Sequence, residues 1–229
     1  MNVLVVGGGG REHAIVWSLA KSGKIAKLYC APGNAGIARI AECVPIGVMQ
    51  FDELVRFARD RGIDLVVVGP DDPLAAGIVD AFEAAGIPAF GPNKAAAEIE
   101  ASKIFTKNLL RKYGIPTARY ETFDDYEKAL AYLRTQQAPL VVKADGLAAG
   151  KGVTVARTVE EAEEALRRMM IDRVFGESGT RVVIEEYLEG QEMSILSFVD
   201  GETVRPMVPA QDHKPVFDGD RGPNTGGMG

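Results

Sequence analysis

Over its first ninety residues the chain alternates short apolar runs with amphipathic stretches. VLVV (3–6) is apolar at every position, as expected of a strand covered on both faces. It passes through GGGGREH into AIVWSLAKSG, where apolar residues recur at helical spacing. A second strand is predicted at 25–32 (IAKLYCAP), a helix closed by Gly62 at 51–62, and a third strand at 63–70 (IDLVVVGP). One helix over 74–86 (LAAGIVDAFEAAG) and a short strand over 87–92 (IPAFGP) follow. This order implies a parallel sheet with right-handed crossovers. The loops after its strands then gather at the carboxyl edge, where open α/β sheets bind ligands.

Near residue 100 the pattern changes. ASKIFTKNLLRKYG (101–114) predicts a basic helix, IPTARYETF an edge strand, and DDYEKALAYLRTQ (124–136) a helix capped by Asp124 or Asp125. APLVVKADG (138–146) and GVTVART (152–158) frame a glycine-rich tip. In TVEEAEEALRRMMID (158–172), Thr158 followed by Glu161 is a capping-box pattern. Strands are expected at 180–188, 191–201 and 203–212. The last stretch, GDRGPNTGGMG (219–229), holds five glycines and predicts neither a helix nor a strand. A domain seldom stops inside such a loop, so the chain is expected to be a fragment of a longer one.

Composition narrows the function classes. Lys and Arg number 26 against 32 Asp and Glu, a net charge of -6 with no long basic block, which argues against a nucleic-acid partner. No apolar run reaches the length of a membrane span, and residues 1–6 lead into glycines rather than a cleavage site. Cys30 and Cys43 form no C-x-x-C pair and are expected to be reduced, partly buried residues. A cytoplasmic α/β enzyme is the expectation, with no nucleic-acid and no membrane partner.

Four segments carry candidate chemistry. GGGGREHA (7–14) places glycine amides at a helix start, which suits an anion. Glu12 stands where a dinucleotide fingerprint needs its third glycine, and the second strand ends in APGN rather than an acid. A small phosphorylated substrate assisted by Arg11 or His13, and a ligand-free tight turn, both remain open. KADGLAAGKGV (143–153) sets Lys143 at a strand end and Lys151 among glycines, a cover for a triphosphate without Walker spacing. VIEEYLEGQEMS (183–194) offers a strand edge for a purine and Glu192 for ribose hydroxyls. QDHKPVFDGDRGPNTGGMG (211–229) groups Asp212, His213 and Lys214 before a glycine loop, a second charged wall. Neither histidine is assigned as a general base.

Together with APGNAG (31–36), VVGPDDPL (67–74) and FGPNKAAAEIEASKIFTK (90–107), these strings resemble the phosphoribosylamine–glycine ligase (glycinamide ribonucleotide synthetase) family of the ATP-grasp superfamily. The resemblance runs the length of the chain. It implies an α/β protein: an N-terminal parallel-sheet, Rossmann-like pre-ATP-grasp domain over 1–100, followed by an apparently truncated α+β ATP-grasp unit. Within that unit it implies a helical connection at 101–118, a small lid subdomain at 119–190, and the start of a C-terminal subdomain at 191–229.

The roles it implies are ATP contacts at Lys103, Lys143, Gly150, Lys151, Gly152, Glu185, Glu186, Tyr187, Leu188 and Glu192, with Lys143 and Lys214 near the transferred phosphate. Substrate contacts are implied at Gly9, Gly10, Arg11, Glu12, Asn34, Asp71, Asp212, Asn224, Thr225 and Gly226. Asp71 and Pro215 depart from the family's usual Glu and Arg.

The implied reaction joins glycine to 5-phosphoribosylamine through glycyl phosphate, consuming ATP with Mg2+ or Mn2+, in de novo purine biosynthesis. The metal ligands are expected beyond Gly229, with none inside the chain, so the 229 residues alone are expected to turn over little. Oligomeric state stays open, a monomer being one option. The rivals are another ATP-grasp carboxylate–amine ligase and, for this chain alone, a non-catalytic nucleotide- or phosphoribosyl-binding module.

Overall fold

Strand β1 (Asn2–Gly7) buries Val3, Leu4, Val5 and Val6 completely, because helices cover both faces of its sheet. The computed structural model describes residues 1–148, 151–213, 215–219 and 221–225 and divides into two units, Met1–Ala101 and Ser102–Gly229.

In the first unit, β1 lies between β2 (Lys27–Pro32) and β4 (Leu65–Val68), with β3 (Glu42–Cys43) and β5 (Ala89–Phe90) at the edges. Every pairing is parallel. Helices α2 (Phe51–Asp60) and α4 (Ile78–Ala84) send Leu54, Ala58, Ile78 and Phe82 against Leu4 and Val6. On the opposite face, α1 (Gly10–Leu19) sets Val16 beside Val3 and Val5. Successive residues of β1 thus feed two separate cores, following the two-residue period of a strand. The strand order reverses direction of growth between β1 and β4, and the crevice at that point opens at the carboxyl edge.

The single helix expected over 74–86 is two helices, α3 (Asp71–Ala76) and α4. Gly77 separates them in the left-handed region, φ 98°, which a glycine adopts without the Cβ penalty. The helix expected over 101–114 forms, but a second, unexpected one precedes it. Helix α5 (Lys94–Ala101) was hidden in its alanine run, and α6 (Lys103–Lys112) restarts at Ser102, whose Oγ accepts from the amide of Phe105.

Cys30 and Cys43 are free thiols, Cys30 fully enclosed and Cys43 half-buried. Burial, and then the nearness of Cys43 and Glu12, pushes the Cys30 thiol up to about 12. Iodoacetamide at pH 8 is therefore expected to label Cys43 and spare Cys30 in the folded chain, while urea exposes both, as read by mass spectrometry. Folding holds Cys30 protonated, so this contribution is complete below the unfolded thiol's range near 9 and is lost as pH rises toward 12. A Cys30→Ala variant is expected to flatten that alkaline decline.

In the second unit four antiparallel strands run in the order β6 (Tyr120–Phe123), β9 (Val182–Glu186), β7 (Leu140–Ala144), β8 (Val153–Ala156). Helices α7 (Tyr126–Leu133) and α8 (Val159–Met170) cover one face and bury Leu133, Leu166 and Met169 against Leu140, Val142 and Ile184. The predicted caps form: Asp125 accepts from the amide of Lys128, and Thr158 from that of Glu161. Beyond this sheet the expected long strands shrink to a hairpin, β10 (Ser197–Val199) and β11 (Val204–Pro206), plus a bridge between Ser194 and Ala210.

The tail is corrected in the other direction. Strands β12 (Pro215–Phe217) and β13 (Arg221–Asn224) pair where only a glycine loop was expected. Gly222 makes this possible, because a Cβ there would meet the Phe217 ring at 2.5 Å. Among the described residues no helix is long and apolar enough to cross a membrane.

Candidate functional site

Three loops meet at the carboxyl edge of the parallel sheet. The first joins β1 to α1, and its Gly9 amide donates to Glu12 Oε2 at 2.6 Å. Glu12, 4% exposed, is thus a buried cap, and its side chain fills the space beside Gly7 and Gly69. The second loop carries Asn34, whose Nδ2 donates to the Gly8 carbonyl at 2.9 Å while Oδ1 accepts from the amides of Gly36 and Ile37. A Cβ at Gly8 would lie 2.7 Å from the Gly33 carbonyl oxygen, so only a glycine permits the two loops to touch. The third loop follows β4, and its Gly69 carbonyl accepts from Arg11 Nη1 at 2.7 Å. Asp71 lies 3.6 Å from the same guanidinium.

The geometry therefore brings together Gly9, Gly10, Arg11, Glu12, Asn34 and Asp71, but divides their work. Glu12 and Asn34 spend their polar atoms on the loops. Arg11 and Asp71 are exposed, and Gly10 begins α1 with open space where a Cβ would sit. Helix α1 points its positive end into the same crevice, a setting that favours an anion.

The second cluster follows from strand register. On β9 the side chains of Glu185 and Glu186 point to opposite faces, as neighbours in a strand must. Glu186 turns to the edge strand and accepts from the Arg119 amide at 2.8 Å and Arg119 Nε at 2.7 Å. Those bonds, the main-chain one first, hold its carboxyl below the usual range.

Glu185 turns to the face that α7 and α8 leave uncovered. There Val141 stands opposite Glu185 and Lys143 opposite Val183, so Lys143 and Glu185 are diagonal neighbours within reach of long side chains. Lys143 Nζ pairs with Glu185 Oε1, and Lys107 Nζ from α6 lies 2.6 Å from Oε2. The exposures are 6% for Glu185, 11% for Lys107 and 26% for Lys143, so one enclosed carboxylate holds two ammonium groups.

Lys103, one turn before Lys107 on α6, donates through Nζ to the Gly146 carbonyl at 3.1 Å. Residues 103, 107, 143 and 146 thus surround the root of the glycine–lysine loop. On its far side Lys151 is exposed and its amide donates to the Ala148 carbonyl. Gly152 admits the β7–β8 return, since a Cβ there would lie 2.7 Å from that of Ala148.

Tyr187 and Leu188 extend past the end of β9 and are exposed, as is Glu192. Asp212 and Thr225 are half-buried and Asn224 ends β13. Gly150, Lys214 and Gly226 lie outside the described residues.

Lys107 and Asp145 were not singled out from the sequence. Lys107 had a usable signal, its spacing of four from Lys103, which puts both on one helix face. Among the described residues no group of three or more His, Cys, Asp or Glu is placed to hold a metal ion.

Two family models divide the chain between them. Residues 1–100 match the phosphoribosylglycinamide synthetase N domain, and residues 101–229 match the phosphoribosylglycinamide synthetase ATP-grasp (A) domain. The phosphoribosylamine–glycine ligase of Halalkalibacterium halodurans is 57% identical over 229 residues, covering all of this chain and 54% of that protein. That of Caldanaerobacter subterraneus subsp. tengcongensis is 56% identical, with 100% and 55% covered. The crystal structure of the phosphoribosylamine–glycine ligase of Thermotoga maritima superposes with a TM-score of 0.83 at 34% identity, over 100% of this chain and 54% of that one. The chain spans about half the length of the relatives it matches.

Proposed function

The chain belongs to the phosphoribosylglycinamide synthetase family, and from that premise we propose that it supplies the phosphoribosyl and nucleotide sites of a ligase joining glycine to 5-phosphoribosylamine at the expense of ATP. The observation that carries this reading is the pair of lysines held by Glu185 at the root of the glycine–lysine loop. The Gly9–Arg11 crevice in the first unit supports it as a phosphate site.

The chemistry has two steps. A carboxylate oxygen of glycine attacks the γ-phosphorus of ATP, and ADP leaves, giving glycyl phosphate. The amine of 5-phosphoribosylamine then attacks the acyl carbon, and inorganic phosphate leaves as the nitrogen gives up a proton. The product is glycinamide ribonucleotide.

Such phosphoryl transfer asks the protein mainly for position and positive charge. Lys143 and Lys103 offer ammonium groups to the phosphate oxygens, with Lys214 assigned the terminal phosphate. Glu185 fixes the direction of Lys143 before the nucleotide arrives. The backbone after β9, at Glu186, Tyr187 and Leu188, presents an edge to adenine, and Glu192 accepts from ribose hydroxyls. Lys151 with Gly150 and Gly152 closes over the phosphates and shields the acyl phosphate from water. Arg11 with the amides of Gly9 and Gly10 takes the phosphoribosyl phosphate, steadied by Glu12, Asn34 and Asp71. Asp212, Asn224, Thr225 and Gly226 are assigned to substrate binding.

The family's ATP chemistry brings a divalent cation, which we assign as Mg2+ or Mn2+, supplying charge neutralisation when bound. The described residues form no ligand cluster that fits it, so no step is drawn through the ion. The same reading places the protein in the cytoplasm in purine synthesis, with small-molecule partners only.

Phosphate release from ATP is the test, run on the chain extended to the length of its relatives, since the 229 residues alone are expected to turn over little. Release that requires both glycine and 5-phosphoribosylamine, neither alone sufficing, is the expected result. Equal release with another amino acid or another amine would point to a different carboxylate–amine ligase. Nucleotide binding with no turnover under any substrate pair would favour a binding module.

A further inference from the structure

Among the described residues Asp145 is the most enclosed charged residue of the second unit, at 2% exposure, and it touches two separate segments. Its Oδ1 accepts from Ser102 Oγ at 2.9 Å and from the amide of Ile104 at 2.8 Å, both at the start of α6. Its Oδ2 meets Arg181 Nη2 at 2.6 Å, just ahead of β9. Its main chain repeats these links, the carbonyl accepting from the Lys103 amide at 3.1 Å and the amide donating to the Arg181 carbonyl at 2.9 Å.

A helix start leaves its first amides without intrahelical partners. In α6, Ser102 serves the amide of Phe105, and Asp145, more than forty residues away, serves those of Lys103 and Ile104. The cap thus comes partly from the glycine–lysine loop itself. The loop is fastened on its other side too, the Gly146 amide donating to the Ser178 carbonyl and Ser178 Oγ to that of Leu147.

We propose that Asp145 is a positioning residue that locks the start of α6, and with it Lys103, to the root of the glycine–lysine loop. Its carboxylate touches no reacting atom. It sets the distance between two cations that must meet one triphosphate, since Lys103 rides on α6 and Lys143 stands two residues before Asp145 on β7. The ligand named here rests on the nucleotide reading above; the lock itself rests on the hydrogen bonds.

The experiment compares Asp145→Ala, Asp145→Asn and Arg181→Gln in the 229-residue chain, at a temperature where each is folded by circular dichroism. Asn keeps an oxygen for Ser102 and Ile104 and gives up only the pair with Arg181. MgADP affinity by calorimetry is expected to fall about tenfold or more in the alanine variant and to stay within about threefold of wild type in the other two. Amide exchange at Lys103, Ile104 and Gly146 is expected to accelerate in the alanine variant alone, with α7 and α8 unchanged. Wild-type affinity and exchange in Asp145→Ala would overturn the proposal. So would an equal loss in all three variants, which would make the Arg181 pair the operative contact. Absence of MgADP binding by the wild-type chain would sink the nucleotide reading instead, and the exchange measurement would still decide whether Asp145 locks α6.

Discussion

Glu185→Gln is expected to lower the unfolding free energy by about 3–5 kcal/mol, the cost of leaving an enclosed charge without its partner. Gln is nearly the same size, so packing is little disturbed, but the site then holds Lys107 and Lys143 with no anion between them. Lys143 has room to swing toward water. Lys107, at 11% exposure, has little, and it is held in place by Thr117 Oγ1 at 2.7 Å and the Ala118 carbonyl at 3.3 Å. A urea titration should show an earlier midpoint with an unchanged slope, since the exposed area on unfolding stays the same. Adding Lys107→Met should restore at least half of the loss, because the stranded cation is then gone. A single variant within about 1 kcal/mol of wild type would mean that the three groups are solvated and hold nothing in place.

The second large effect is steric. Gly69→Ala adds one methyl where the Cγ and Cδ of Glu12 would lie 2.7 Å away, with its Oε1 closer still. Gly69 is not among the positive-φ glycines, so backbone strain is not the obstacle; the carboxylate is. Overpacking of this kind costs about 1–3 kcal/mol. Because the displaced group is the cap of the Gly9 amide, the loss should spread to the phosphate crevice. Ribose 5-phosphate binding, followed by calorimetry, is expected to weaken together with stability. Glu12→Ala alone should cost about 1–2 kcal/mol through the lost cap. Combined with Gly69→Ala it should cost less than the two added, a favourable coupling of about 1 kcal/mol or more. Strict additivity would show that Glu12 and Gly69 do not press on each other.

What could be read from the chain alone was whatever its period or its caps declare. VLVV announced a doubly covered strand, and Thr158 with Glu161, or Asp125 ahead of YEKAL, announced helix starts that formed as expected. Local pattern failed where tertiary contacts chose the outcome. The LAAGIVDAF run looked like one helix because a lone glycine is tolerated in helices, yet Gly77 takes a left-handed turn. The glycines after residue 218 suggested a loop, although one of them only makes room beneath Phe217 for a hairpin.

For the candidate site, the motifs drew attention to the right loops but not to what each side chain does there. Glu12 looked like a substrate contact and is buried support; Lys107 was not singled out and meets the central carboxylate. Asp145 sat inside the most informative motif and went unnoticed, because its partners are more than thirty residues away in either direction. Pairwise charge across a sheet depends on register, which no single segment specifies.

That register has a consequence for how the second unit folds. Strand β9 reads Val-Val-Ile-Glu-Glu, and a slip by one position would exchange its two faces. Glu186 would then take the place of Glu185 beside the lysines, and Glu185 that of Ile184 in the core beneath α7 and α8. The misaligned strand would keep an acid for the lysines, but it would leave Arg119 without one and sink a carboxylate among apolar side chains, which is strongly unfavourable. Ile184, fitted beneath α8, and the main-chain bond from Asp145 to Arg181 thus hold the native register. The two adjacent acids are therefore not interchangeable: each answers a cation on its own face, and the isoleucine before them fixes which is which.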